Sequence, residues 1–168
     1  LDILTDKLKR FDIKFTVEET KKFYTAQEVL DLINILKLLN DPKDKTALLG
    51  VLRSPFALLT DGEILTLSKN NQFNIFAAPT NPRAAQIYKM LKELYYKAGR
   101  LCVEDLINEI IYNTDFLMLQ TLAAQKEQTI ANIFKFISVV RKMHAQGALN
   151  LGQFLFYAQK YSKDQNKE

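Results

Sequence analysis

One cysteine, one histidine and no tryptophan stand among 168 residues, and each scarcity removes a class of chemistry. A lone Cys102 builds neither an internal disulfide framework nor a cysteine-ligated zinc site, which fits a reducing compartment. With His144 the single histidine, neither two-histidine metal sites nor histidine-paired nucleophiles are expected. The five glycines never fall into the Gly-x-x-x-x-Gly-Lys-Ser/Thr spacing with which backbone amides wrap a nucleotide's phosphates. ATP binding by this chain is therefore not expected. Apolar runs stay far below the ~18 residues that cross a bilayer, and the opening residues do not read as a secretory leader. A cytoplasmic protein with no membrane partner is the expectation. Charge of a single sign is also missing: 23 Lys and Arg stand against 19 Asp and Glu, for a net +4. The two signs share the same helices, so the basic bias favours polyanions only weakly and no basic tail exists to carry it.

What is present is apolar pattern at helical spacing. The length suffices for one domain that buries roughly 70% of the surface its unfolded form exposes. Leu1 where an initiator methionine would stand, and the all-polar run from Ser162 to Glu168, lead us to expect a segment of a longer protein. Only Phe11–Val17 alternates as a strand does, with Phe11, Ile13, Phe15 and Val17 on one side. One strand forms no sheet alone, so it is expected either to be an edge belonging to a neighbouring domain or to pair weakly inside this chain.

Helix signals then follow in series. Thr25 and Glu28 have capping-box spacing, Tyr24 is placed to staple onto Val29, and a very apolar helix runs to Leu39. Val29, Leu32, Ile33, Leu36 and Leu39 form its stripe, and Leu30, Ile35 and Leu38 widen it, which predicts a central post enclosed on most sides. A shorter helix from Asp44 or Lys45 must stop at Arg53, because Pro55 disfavours helical geometry at Ser54. Thr60 and Glu63 repeat the box for a third helix toward Leu67. Asn81-Pro82 starts a fourth, with Ala84, Ile87, Tyr88, Leu91, Leu94 and Tyr95 inward and Gly99 as a left-handed stop. Further helices are expected over Val103–Tyr112, from Thr114 or Asp115 to Ala124, over Lys126–Ala145, and from Asn150 to Tyr161. The fold class is all-α: an irregular multi-helix domain carrying at most one short N-terminal strand.

Few side chains in this pattern suggest catalysis. Asp41 and Asp44 flank Pro42-Lys43 and read as turn and cap residues before they read as a magnesium pair. Glu104, Asp105 and Glu109 belong to the early turns of one helix, where negative charge is favourable anyway. His144, near a helix end, reads as a surface cation offsetting the dipole. The remaining candidate is polyanion contact: Gln128, Asn132, Lys135 and Lys142 fall within one sector of their helix, opposite Ile130, Ile133, Ile137 and Val140. That sector is either a phosphate-facing edge or an ordinary solvated face. Tyr88, Tyr95 and Tyr96 are able to stack bases, although Tyr88 and Tyr95 lie in the apolar stripe and read as core.

From Leu8 to Glu63 the order of elements resembles UvrD-like superfamily 1 DNA helicases. The residues that carry the likeness are Phe11–Val17, Phe23-Tyr24, Gln27-Glu28-Val29 and Asn40-Asp41-Pro42-Lys43-Asp44. Leu52-Arg53-Ser54-Pro55-Phe56, Leu59-Thr60-Asp61 and Gln128–Ile133 look most like the helicase-nuclease branch of AddA and RecB type. The resemblance implies that residues 1–22 are a remnant of motor lobe 2A and that 23–168 form a helical 2B-like accessory subdomain. It also implies that ATP and magnesium serve the parent protein, and that no cofactor, metal or catalytic residue belongs to this chain, since the motor motifs lie beyond its ends. The implied partners, in repair or recombination, are duplex or junction DNA, the helicase's other lobes and a second helicase-nuclease subunit. Arg53, Ser54, Asn132, Lys135 and Lys142 are the implied DNA or interdomain contacts. Related helicases carry a Gly-Ile-Gly hairpin soon after the position of Pro55, where this chain has Phe56-Ala57-Leu58-Leu59-Thr60, so duplex binding by that element is not expected. The alternative is an α-helical protein-interaction module that binds no nucleic acid.

Overall fold

The computed structural model describes residues 23–120, 126–145, 147 and 150–164, apart from the side chains of residues 120, 126 and 160–164. The predicted strand at Phe11–Val17, like the whole proposed 1–22 remnant, lies outside the described residues. Among those described there is no strand, and the elements are α1 (Gln27–Asn40), α2 (Lys45–Arg53), α3 (Asp61–Lys69), α4 (Pro82–Ala98), α5 (Val103–Tyr112), α6 (Phe116–Gln120), α7 (Lys126–Ala145) and α8 (Leu151–Asp164). The all-α expectation holds.

The most apolar helix sits where an apolar circumference belongs, in the middle. α1 packs against α2, α4, α7 and α8. Its residues Val29, Leu32, Ile35, Leu36 and Leu38 have no exposed surface. Two details depart from expectation. Leu30 is 37% exposed and lies outside the enclosed face. At the start, Ala26 is the N-cap and makes no side-chain cap bond, so Thr25 does not hold the cap position that the expected box requires. The physical reason is competition: the Glu28 carboxylate is buried and accepts a hydrogen bond from Asn132, far along the chain. Phe23 and Tyr24 are both buried and meet edge to face at 4.9 Å, so the approach to α1 is anchored by packing instead.

Local signals were sufficient elsewhere. Asp44 caps α2 through the Ala47 amide at 2.9 Å, and Ser54 closes it in extended geometry before Pro55. The capping box of α3 is complete: Glu63 accepts from the Thr60 amide at 2.8 Å while the Thr60 hydroxyl oxygen accepts from the Glu63 amide at 3.3 Å. These bonds, with one from Asn81, hold the Glu63 carboxyl below the usual carboxylate range. Asn81 caps α4 with Pro82 in its first turn, α5 has the expected bounds, α7 is helical over the expected Lys126–Ala145, and Asn150 and Gln153 cap α8 reciprocally at 3.0 and 2.8 Å. Gly99 ends α4 with φ −73°, in right-handed geometry. The expected left-handed stop is therefore not used, and the Leu101 amide reaches back to the Lys97 carbonyl at 3.0 Å. α6 is described from Phe116 to Gln120; the rest of the expected helix, to Ala124, lies outside the described residues.

Gly50 lets α1 and α2 approach closely. A Cβ at that position would lie 2.4 Å from Asn34 Nδ2 and 2.9 Å from its Cγ. Alanine would gain about 1 kcal/mol of helix propensity, but crowding a packed contact costs about 1–3 kcal/mol. We expect Gly50→Ala to lower stability by up to about 2 kcal/mol, read as a shift of the urea midpoint. With Asn34→Ala already in place the obstruction is gone, and the same substitution should become stabilising. An unchanged sign in the double variant would show that the close approach is not what excludes a side chain there.

Candidate nucleic-acid interface

The residues singled out in the sequence are placed in three separate neighbourhoods. At the α2–α3 turn, the Arg53 guanidinium donates to both Asp61 carboxylate oxygens at 2.7 Å. Both side chains are mostly exposed, at 55% and 73%, so the pair adds little to stability. The contact nevertheless holds Asp61 below its ordinary pKa and raises that of Arg53, first by hydrogen bonding and then by Coulomb attraction. The fork is thus oriented at the surface. Ser54, beside it, is only 4% exposed and donates through Oγ to the Val51 carbonyl at 2.8 Å. Its role in this structure is to close α2.

The second neighbourhood is the start of α1. Asn132 on α7 donates through Nδ2 to Glu28 Oε1 at 2.6 Å, while its Oδ1 accepts from Gln128 at 3.1 Å. One turn on, Lys135 Nζ lies 4.9 Å from the centre of the Phe23 ring, a cation–π contact. Asn132 and Lys135 are half-buried, so the polar sector of α7 faces partly inward. The buried stripe of α7 is Ile133, Phe136, Ile137 and Val140, with Thr129 also covered. Ile130, expected in that stripe, is only half-buried.

The third neighbourhood is the last turn of α7. Lys142 is ten positions beyond Asn132, about 15 Å along the axis, and is exposed. Among the described residues it has no ion-pair partner, whereas adjacent Arg141 reaches Glu104 on α5 at 2.8 Å. The structure does not bring the five residues into one site. Arg53 and Lys142 are presented outward; Ser54, Asn132 and Lys135 are held within the fold.

The other polar candidates find structural partners. Asp41 accepts from the Lys43 amide, Glu109 binds Lys97 and Asn113, and Asp105 contacts Cys102. Among the described residues there is no group of three or more His, Cys, Asp or Glu side chains that could hold a metal ion. Nor is any helix among them long and apolar enough to cross a membrane. His144, in the last turn of α7 as expected, is half-buried with Nδ1 enclosed. Tyr88 is core: it is 1% exposed, its hydroxyl donates to the Gln72 carbonyl at 2.9 Å, and burial pushes its pKa up to about 12. No sequence signal marked Glu28 and Asp31 for burial, or placed Phe76 beside Tyr95 and Tyr96 at the surface.

Among the described residues the fold is an irregular helical body built around the enclosed α1. The model of the UvrD-like helicase C-terminal domain matches residues 2–168, and the chain belongs to that family. Among similar proteins, an ATP-dependent helicase/nuclease subunit from Lactobacillus helveticus is 23% identical over 98% of this chain and 14% of its own length. The protein of the same name from Enterococcus faecalis is 22% identical, covering 83% of this chain and 14% of its own length. The one from Lysinibacillus sphaericus is 34% identical over 36% of this chain and 5% of its own. The chain thus spans no more than 14% of the length of these relatives.

Proposed function

We propose that this chain is the accessory 2B region of an ATP-dependent DNA helicase of UvrD and AddA type, with residues 1–22 the remnant of the adjoining motor lobe. The observation that carries the proposal is the family match across residues 2–168 in a chain whose glycines form no phosphate loop. ATP and magnesium then serve the rest of a longer cytoplasmic protein acting in repair or recombination, partnered by a second helicase-nuclease subunit. This region acts mechanically. Arg53 and Lys142 are the contacts to duplex DNA or a neighbouring lobe, and Ser54, Asn132 and Lys135 hold the helices that present them.

Duplex binding by the 168-residue chain, followed by fluorescence anisotropy at about 50 mM salt, tests the DNA half of this reading. Lys142→Glu is expected to weaken binding several-fold across all sequences and to flatten the salt dependence by about one unit of slope. Duplex affinity that is immeasurable even at low salt would leave an interdomain role alone. A second reading, a protein-interaction module, is favoured by the exposed rings of Phe134, Phe156 and Tyr157, at 48%, 66% and 42%. A parent reading frame without a Walker-type loop upstream would decide for it.

A further inference from the structure

Phe76, Tyr95 and Tyr96 form a continuous run of rings at the surface. Successive centroids are 5.6 Å apart in both pairs, with interplanar angles of 82° and 62°. Tyr95 is half-buried and anchors the run, while Phe76 and Tyr96 remain 46% and 65% exposed. Such rings cost solvation unless something covers them, and the two tyrosines open onto a groove of about 500 Å³.

The groove is polar on its other side. Asn40 from the end of α1 and Asn150 from the start of α8 line it together with Gly152, and the two amide oxygens converge, each 3.5 Å from where a Gly152 Cβ would be. Asn150 Oδ1 already accepts from the Gln153 amide, which leaves its Nδ2 and the Asn40 amide as donors and an acceptor beside flat rings, suited to a planar heterocycle with mixed hydrogen-bonding edges. Charge selects further. From Pro82 to Arg100 the chain carries five cations, Arg83, Lys89, Lys92, Lys97 and Arg100, against the single carboxylate of Glu93. On α4, Lys92 and Lys89 stand four and seven positions before Tyr96 and so share the face of that ring, while Arg100 lies in the turn just past the helix end. Lys97 is occupied by Glu109, which leaves Lys89, Lys92 and Arg100 to meet an anion. Rings, amides and cations together match unpaired bases on a phosphate backbone. A duplex keeps its base faces stacked and offers these rings nothing.

We propose that this groove binds single-stranded DNA, with Tyr96 inside it and Phe76, outside its lining but packed on Tyr95, stacking unpaired bases and Lys89, Lys92 and Arg100 tracking the phosphates. The inference rests on the DNA-contacting role proposed above and adds a second, base-dependent site to it.

The test compares three labelled probes on the 168-residue chain at about 50 mM salt: an oligothymidylate of about 16 nucleotides, an abasic strand of equal length, and a duplex. The oligothymidylate is expected to bind more tightly than the abasic strand. Tyr96→Ala should weaken it about tenfold, while Tyr96→Phe, which keeps the ring, should change it little. Duplex binding should not respond to Tyr96→Ala. Equal affinity for the abasic strand, or no response to Tyr96→Ala, overturns the stacking site. Duplex binding without single-strand binding overturns it while leaving the accessory-region reading intact. Tyr96-dependent single-strand binding without duplex binding supports the groove and removes duplex contact from that reading.

Discussion

Truncating Leu36 to alanine should lower stability by about 3–5 kcal/mol, the range for emptying a fully enclosed leucine site. A loss of that size consumes much of the ~5–15 kcal/mol that holds an ordinary domain folded. Leu36 has no exposed surface, and its helix touches α2, α4, α7 and α8, so no single neighbour can move to fill the cavity without disturbing the others. Leu30 is the internal control. It occupies the same helix but is 37% exposed, and Leu30→Ala should cost no more than about 1 kcal/mol because solvent already covers part of its side chain. Urea titration of both variants reads the difference. Similar losses at the two positions would mean that α1 is not enclosed as described.

How much of this was legible in the sequence depended on how far apart the interacting residues lie. Helix starts that close over three or four positions were read correctly at Thr60–Glu63, Asn81-Pro82 and Asn150, because cap donors and acceptors are neighbours along the chain. The same rule failed at Thr25–Glu28, where an equally good local pattern lost its carboxylate to a partner on α7. Gly99 failed differently. Glycine permits left-handed geometry but does not require it, and the chain leaves α4 in right-handed geometry.

Surface residues were harder to read than core residues for a related reason. The 100° step correctly put Ile133, Ile137 and Val140 on the buried side of α7. It could not say how wide that side becomes when α1, α5 and α6 all pack against the helix, and the extra width half-buries Asn132 and Lys135. Tyr96 shows the converse. It follows Tyr95 directly in sequence, but the helical step turns it away from the core, leaving it 65% exposed on the cationic face of α4. Periodicity separated the two rings. It could not bring Phe76 to them, since that contact comes from a loop laid across the helix.

Asn132→Ala is expected to cost about 2–4 kcal/mol, far more than an exposed asparagine would. Glu28 is only 8% exposed, and Asn132 donates to it at 2.6 Å. A buried carboxylate that loses its donor either remains unsolvated or drags water into the α1–α7 contact, and both outcomes fall on the unaltered partner. Asn132→Asp should be worse, because it replaces the donor with a second negative charge. Glu28→Gln should be mild, since an amide oxygen can still accept while the charge to be desolvated disappears. Replacing both residues with leucine should recover much of the loss, as apolar groups of similar shape leave nothing unpaired. A double-mutant cycle therefore separates the pair's coupling from the simple loss of an asparagine, and additive effects would show that the bond does not join the helices. The order of these four variants also bears on function. If Asn132 touched DNA and did not support Glu28, Asn132→Ala would reduce binding while leaving the urea midpoint where it was. The geometry predicts the reverse: stability falls first, and any loss of DNA contact follows from α7 loosening and no longer presenting Lys142.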